Sequence, residues 1–218
     1  GGHEAEGPDS EGPRRGPGPW GLVVSRGGYP YPLPNSHVRG DRGEPLMHPG
    51  PADGGTEADV IAYTVKSVPP PRTGAGEVDA ALARPIRADI VIDQIIGVGR
   101  ITGIADPAKG MTVAKQGRNC YTTGTIIDTD ATIKVAGYPW GAAVLDHVIL
   151  TTAMAAPGDS GSVAYDPSTR RAVGLIFAGS SVVTAANRMT TVMRALAAAP
   201  TAAPAPSAAP ALAIAGAA

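Results

Sequence analysis

The sequence predicts an all-β protein of short strands, flanked by two ends that cannot form a core. Three observations lead to this fold class. The chain has 218 residues, of which 29 are Gly and 22 are Pro, too many for a helical bundle. Hydrophobic residues make up 43% of the chain, enough to bury a core. Short apolar runs alternate with Gly and Pro turns, and the glycines lack the triplet period of collagen.

The two ends have compositions typical of disordered or extended chain. Gly1–Pro19 holds Gly, Pro and charged residues with almost nothing to bury, and Ala197–Ala218 is an Ala/Pro tail. Ala195–Ala218 carries no charge, but its four prolines make it a poor membrane-spanning helix. Because no signal-peptide pattern opens the chain, we expect a cytoplasmic protein without a membrane partner.

Strand signals dominate the region between these ends. In its first half Pro45–Gly55 is predicted to be a loop. Three prolines indicate that Tyr29–Pro34 is an edge strand or an irregular one. The predicted strands there are Trp20–Ser25, Tyr29–Pro34, Asp59–Val68 and Val78–Ala83. The predicted strands of the second half are Met111–Lys115, Gly124–Asp128, Thr132–Ala136, Val144–Thr151, Gly161–Tyr165 and Ala172–Phe177. Short strands at this spacing favour sandwich or barrel packing.

One helix is predicted near the end of the core. Asn187 is a suitable N-cap residue. An apolar stripe at helical spacing follows it, formed by Met189, Val192, Met193 and Leu196. We expect this stripe to pack against the barrel.

Charge and cysteine content exclude several function classes. The net charge is −1, from 18 basic and 19 acidic residues without a basic block, which argues against a nucleic-acid partner. Cys120 is the only cysteine and cannot form an internal disulfide; we expect it to be a partly buried residue, not a nucleophile. Gly97–Gly103 lacks the Gly-Lys-Ser/Thr of a phosphate-binding loop, and no His/Cys/acid spacing indicates a metal site. We therefore expect no cofactor.

The sharpest local motif is Gly158-Asp159-Ser160-Gly161-Ser162. A serine between glycines can occupy a tight turn where backbone N–H groups converge and bind a developing oxyanion. A serine nucleophile needs a histidine base and an orienting acid. Of the four histidines, His3, His48 and His147 have contexts that indicate the head, a loop and a solvent-facing strand position. His37, at the end of the first predicted strand pair, differs from them because of the acidic residue that follows it in the chain.

Asp79 is the candidate acid because it starts an otherwise apolar strand, where an unpaired carboxylate would be costly. The alternative reading is a strand-end Asp bound to local backbone N–H groups. With Ser160, the chain order becomes His37, Asp79, Ser160. This is the order of the chymotrypsin-type triad, and it differs from those of subtilisin and the α/β-hydrolases.

Five motifs, in order along the chain, resemble chymotrypsin-like serine peptidases, and more narrowly a bacterial and phage branch of the trypsin-like peptidases. Asn35-Ser36-His37-Val38 is similar to the Asn-Asn-His-Val motif of that branch, although Ser36 stands where Asn is usual. The other similar segments are Gly43-Glu44-Pro45 followed by Pro49–Gly55, Val78–Ala83, Gly158–Ser162 and Val173–Gly179.

The resemblance implies two six-stranded β-barrels with the active site between them, followed by the short helix. The first barrel would span residues 20–90 and carry His37 and Asp79; the second would span residues 91–196 and carry Ser160. His37 would be the base, Asp79 its orienting acid and Ser160 the nucleophile. The N–H groups of Gly158 and Ser160 would form the oxyanion hole. The specificity pocket would be lined by Met154, Phe177, Ala178, Gly179 and Ser180.

These roles predict a serine endopeptidase acting on a peptide or protein substrate. The alternative is a catalytically weak or inactive relative that binds peptide or protein segments in the cleft between the barrels, since little ordered chain precedes His37 and the first barrel could lack a strand. An esterase using the same triad is a third possibility. Asp159 could accept an ammonium group, but no N-terminus suited to that role is evident. Substrate preference and oligomeric state stay open.

Overall fold

The computed structural model describes residues 4–5, 21–39, 41–50, 54–118 and 120–201. Most of the predicted disordered head and most of the Ala/Pro tail lie outside these ranges. Two short segments of those ends are nevertheless strands. Glu4–Ala5 (β1) runs parallel to residues 134 and 135. Ala199–Pro200 (β15) runs antiparallel to residues 24 and 25.

The first half is built from short strands and one helical turn. Its elements are β2 (Val23–Arg26), β3 (Tyr29–Pro32), α1 (Ser36–Arg39), β4 (Pro45–Met47), β5 (Val60–Val68), β6 (Ala75–Gly76) and β7 (Ala80–Pro85). Short 3-10 turns occupy Glu57–Asp59 and Ala88–Ile90. Proline residues confine β3 to one partner strand, as predicted.

The second half has longer strands and the C-terminal helix. Its elements are β8 (Gly103–Ile104), β9 (Thr112–Gln116), β10 (Tyr121–Tyr138), β11 (Gly141–Thr152), β12 (Val163–Asp166), β13 (Arg171–Gly179), β14 (Val183–Arg188) and α2 (Met189–Leu196). Among the described residues, neither helix is long and apolar enough to span a membrane.

The sheet pairings produce one closed barrel and one more open half. Strands β10, β9, β12, β13, β14 and β11 follow one another in the larger sheet, and β10 also pairs with β11, which closes a ring of six strands. The first half has two three-stranded sheets, β15-β2-β3 and β4-β5-β7. Its sixth strand, β15, comes from beyond α2, so chain that follows the second barrel completes the sheet of β2 and β3.

The apolar stripe of α2 is buried as predicted. Met189, Val192, Met193 and Leu196 are at most 6% exposed. They pack in one cluster with residues from both halves, such as Leu82 of β7 and Leu175 of β13. The helix therefore stabilises the packing of the two halves against each other.

Several sequence expectations are wrong in detail. The Pro45–Gly55 loop begins with strand β4, and the separate strands Gly124–Asp128 and Thr132–Ala136 are parts of the single strand β10. Strand β14 was not predicted because its Ala-rich sequence has low intrinsic strand preference; its place between β13 and β11 overrides that preference.

Asn187 and Cys120 also differ from expectation. Asn187 is the buried fifth residue of β14, and Arg188 occupies the N-cap position of α2. The Asn187 side chain instead accepts a hydrogen bond from Asp79 N (3.1 Å) and donates one to Glu77 O (3.1 Å). Cys120 is exposed, because it lies in the turn between β9 and β10.

Candidate active site

His37 lies in the helical turn α1, which backbone and side-chain bonds fix against β7. Ala81 N donates to Pro34 O (2.8 Å), and Asn35 Nδ2 donates to Asp79 O (2.7 Å). Leu33 and Asn35 are both fully buried. The segment that carries His37 is therefore held beside Asp79, the residue immediately before β7.

The structure brings His37 and Asp79 into direct contact. His37 Nδ1 forms a short hydrogen bond with Asp79 Oδ2. A carboxylate oxygen can only accept, so Nδ1 carries a proton, and in the neutral ring Nε2 presents a lone pair. This is the tautomer in which Nε2 can take a proton from a nucleophile.

Asp79 is completely buried, and five donors reach its carboxylate. Oδ1 accepts from Ser36 N (2.7 Å), His37 N (3.1 Å) and Ser36 Oγ. Oδ2 accepts from His37 Nδ1 and from the hydroxyl of Tyr138 (2.8 Å). Burial acts to raise the pKa of Asp79. The charge and hydrogen bond of His37 and the hydroxyls of Ser36 and Tyr138 outweigh it, so the pKa lies below its usual value.

Ser160 is half-buried in a tight turn that precedes β12. Asp159 N donates to Ala156 O (3.0 Å), and Ser162 N donates to Asp159 O (2.9 Å). Gly158 has φ 88°, a left-handed conformation that favours glycine. In the described part of the chain, neither Gly158 N nor Ser160 N donates to another protein atom. Both N–H groups are therefore available to an oxyanion.

The start of the first half packs directly on this turn. Gly21 N donates to Gly161 O (2.9 Å). A Cβ at Gly21 would lie 2.3 Å from both Gly161 O and Val163 N. Only glycine permits this approach, so the turn that carries Ser160 is supported from the other half.

Asp159, in the turn that carries Ser160, forms a buried ion pair. Its Oδ2 contacts Lys115 Nζ, and the two side chains are 3% and 1% exposed. Ala156 N (2.9 Å) and Arg118 N (3.1 Å) also donate to the carboxylate. Sequence analysis found no N-terminus that could provide an ammonium group for Asp159. The side chain of Lys115 provides it. The pair anchors Asp159, the residue between Gly158 and Ser160, in the protein interior.

Ser160 and His37 do not share a hydrogen bond in this structure. Ser160 Oγ lies 3.4 Å from Phe177 O, to which it donates. His37 Nε2 is buried and, among the described residues, has no hydrogen-bond partner. Phe177 and Tyr138 belong to one buried cluster, so both parts of the site border the same region of the second barrel. Catalytic hydrogen bonds are often long or absent before substrate binds.

The predicted pocket residues differ in how deeply they are buried. Met154 is 5% exposed and packs in a core cluster with Val113 and Ile126. Phe177 is fully buried, Ala178 is 6% exposed, and Gly179 and Ser180 are more accessible. Their role in substrate binding stays a prediction.

Three residues of the site were not assigned a role by sequence reasoning. Ser36 appeared only as a departure from the motif, yet it donates twice to Asp79. Tyr138 is distant in sequence, and its one signal was an aromatic residue at the end of a strand before Pro139-Trp140-Gly141. Lys115 sits within an apolar strand, where a buried lysine requires a partner.

The other candidate groups do not join the site. His147 is exposed and bonds Asp130 Oδ1 through Nδ1 (2.6 Å), which agrees with its predicted solvent-facing position. No group of three or more His, Cys, Asp or Glu residues within the described ranges could hold a metal ion.

Comparisons with known proteins identify the fold. No protein-family model matches the chain, and no curated protein matches it in sequence. Solved structures do match, although all at low identity. Thermobifida fusca protease A aligns with a TM-score of 0.63 and 19% identity over 84% of this chain and 90% of its own.

Two further bacterial proteases give similar values. The Nocardiopsis protease has a TM-score of 0.61 and 18% identity over 91% of this chain and 100% of its own. The Cellulomonas bogoriensis chymotrypsin has a TM-score of 0.60 and 20% identity over 84% and 97%. These likenesses show the chymotrypsin-like fold and confirm the predicted all-β double-barrel class.

Proposed function

We propose that the protein is a serine endopeptidase in which His37, Asp79 and Ser160 act as the catalytic triad. The observation that carries this proposal is the buried His37–Asp79 pair, whose tautomer leaves a lone pair on Nε2. The chymotrypsin-like fold of the bacterial proteases similar to this chain also supports it.

The first half of the reaction forms an acyl-enzyme. Ser160 Oγ attacks the substrate carbonyl carbon while its proton passes to His37 Nε2. The negative charge that develops on the carbonyl oxygen is met by the N–H groups of Gly158 and Ser160, and losing one such donor typically costs about 10²–10³ in kcat. His37 then returns the proton to the amine as the C–N bond breaks.

The second half releases the acid product. Water attacks the ester carbonyl, His37 Nε2 accepts a proton from it, and the Ser160 oxygen leaves with that proton. Asp79 stays ionised throughout, because its lowered pKa keeps it charged at neutral pH, and it stabilises the imidazolium that forms at each step.

Hydrolysis of an unfolded protein and of a mixed peptide library tests this proposal without knowledge of the preferred sequence. We expect wild type to cleave at internal bonds, and Ser160→Ala to reduce the rate on the order of 10⁶-fold. His147→Ala is the matched histidine control for His37→Ala, because His147 is exposed and bonded only to surface groups. Cleavage that survives in Ser160→Ala would overturn the proposal.

One observation favours a second candidate function. Ser160 Oγ bonds Phe177 O instead of His37 Nε2. If this arrangement persists with ligand bound, the cleft would hold an extended peptide by strand addition without cleaving it. Saturable binding of library peptides by a wild type that cleaves none of them would support that function.

A further inference from the structure

Tyr138 is a residue of the second barrel that reaches into the catalytic pair of the first half. It is the last residue of β10 and is 4% exposed. Its hydroxyl lies 2.8 Å from Asp79 Oδ2, the same oxygen that His37 Nδ1 contacts. The steps of the proposed reaction do not involve the Tyr138 hydroxyl.

The direction of this hydrogen bond follows from the environment of Tyr138. Burial, together with the negative charge of Asp79, raises the pKa of Tyr138 above its usual value. The hydroxyl therefore keeps its proton at all functional pH values, and it donates to the carboxylate. This hydrogen bond stabilises the negative charge on Asp79, which is the same charge that stabilises a protonated His37 ring.

The Tyr138 ring is also in contact with the imidazole. The two ring centroids are 5.9 Å apart, and the planes meet at 84°, an edge-to-face arrangement. On its other side Tyr138 stacks on Trp140 at 5.2 Å and 20°, and the Arg72 guanidinium lies 5.6 Å above the Trp140 ring. The Tyr138 ring thus contacts both His37 and Trp140.

We propose that Tyr138 is a positioning residue of the triad, which fixes Asp79 Oδ2 through its hydroxyl and limits rotation of the His37 ring through its edge. The inference rests on the proposed peptidase function. It links the two halves of the fold, since a movement of β10 relative to β7 would change the basicity of His37. Its two actions can be separated, because the hydroxyl and the ring can be removed one at a time.

Removing only the hydroxyl has a predictable sign. In Tyr138→Phe the ring contacts stay, but Asp79 Oδ2 loses one of its two donors. More of its charge then acts on His37, so the protonated ring is stabilised. The midpoint of the His37 titration, and with it the acidic limb of the reaction rate, should move up by about half to one pH unit.

The groups that could otherwise move this midpoint are few. Within the described part of the chain, the titratable groups that contact Asp79 are His37 and Tyr138, and its other side-chain donor is the Ser36 hydroxyl. The Arg72 guanidinium lies over the Trp140 ring, and His37 is the only charged group among the causes that lower the pKa of Asp79. A shift in Tyr138→Phe therefore reports the lost hydroxyl.

The experiment measures two quantities on the full chain. The first is the pH dependence of the labelling rate with a fluorophosphonate probe. The second is the NMR titration of histidine ring nitrogens, with the His37 signals assigned by their loss in His37→Gln. Tyr121→Phe is the matched control, because Tyr121 is on the same strand but half-exposed at its opposite end.

Two more variants make the test independent of Tyr138→Phe folding. Placing 3,5-difluorotyrosine at position 138 keeps the shape and strengthens the donor, so the midpoint should move down. Tyr138→Leu removes the ring as well, so it should lower the maximal labelling rate beyond Tyr138→Phe.

The outcomes distinguish the two proposals. If wild type labels but neither the Phe nor the difluorotyrosine variant moves the His37 midpoint by more than about 0.2 unit, the positioning role is wrong. If the midpoint moves as expected while wild type neither labels nor cleaves, the peptidase proposal fails and the Tyr138–Asp79–His37 linkage stands.

Discussion

The buried Lys115–Asp159 pair offers the most quantitative test of what stabilises the turn that carries Ser160. Lys115→Met keeps the length of the side chain but leaves the Asp159 carboxylate with only two backbone donors, Ala156 N and Arg118 N. Because both side chains are at most 3% exposed, water cannot replace the ammonium group. Breaking a buried pair by removing one partner costs about 3–5 kcal/mol.

This loss should appear both in stability and in reactivity. For a domain of this size each kcal/mol lowers Tm by about 2–4 °C, so a loss of about 3 kcal/mol predicts a drop of roughly 6–12 °C. Asp159 separates Gly158 from Ser160, so labelling of Ser160 should also slow. Thermal unfolding and fluorophosphonate labelling measure the two effects.

A double-variant cycle with Asp159→Asn isolates the interaction. Neutralising both partners removes the uncompensated charge, so we expect the double variant to recover about 1–3 kcal/mol relative to the sum of the single changes. Lys109→Met is the control, because Lys109 is exposed. Additive single changes, or a loss below about 1 kcal/mol in Lys115→Met, would refute the reasoning that Lys115 holds the turn.

Two further predictions concern the approach to the turn and the charge of Asp79. Gly21→Ala places a Cβ 2.3 Å from Gly161 O, so we expect a loss of about 1–3 kcal/mol in chemical unfolding and slower labelling; unchanged stability would contradict that close contact. The pKa of Asp79 is lower in the folded chain than its ordinary value of 3.8. Ionisation of Asp79 therefore stabilises the fold above pH 3.8, and this stabilisation is lost as the pH falls through the lowered pKa of the folded chain. The difference in unfolding free energy between wild type and Asp79→Asn should therefore narrow in acid, and a constant difference would show that Asp79 is not ionised in the fold.

The local motifs predicted the fold class and the contact between His37 and Asp79. His37 and Asp79 are 42 residues apart in sequence, yet their surrounding motifs placed them on a loop and at a strand start that must meet in this fold. Periodicity also predicted the buried stripe of α2, because helical spacing is a strong signal. In these cases the residue pattern itself reflects the local environment.

The partners of the site were harder to predict, since they arise only from the packing of distant strands. Lys115 lies 44 residues from Asp159, and Tyr138 lies 59 residues from Asp79. The local sequence predicts that Asn187 caps a helix. In the structure it is instead a residue of β14, and its side chain forms two long-range hydrogen bonds. Strand β15 likewise joins β2 across nearly the whole chain, which no local pattern could show.

Labelling with a fluorophosphonate probe, followed by mass spectrometry of the modified peptide, tests the central claim most directly. The probe reacts only with an activated serine and requires no knowledge of the substrate. We expect a single adduct on Ser160 in wild type, lost in both Ser160→Ala and His37→Ala, and retained in His147→Ala. A folded wild type that stays unlabelled, or an adduct that persists in His37→Ala at the wild-type rate, would contradict the claim that His37 and Asp79 activate Ser160.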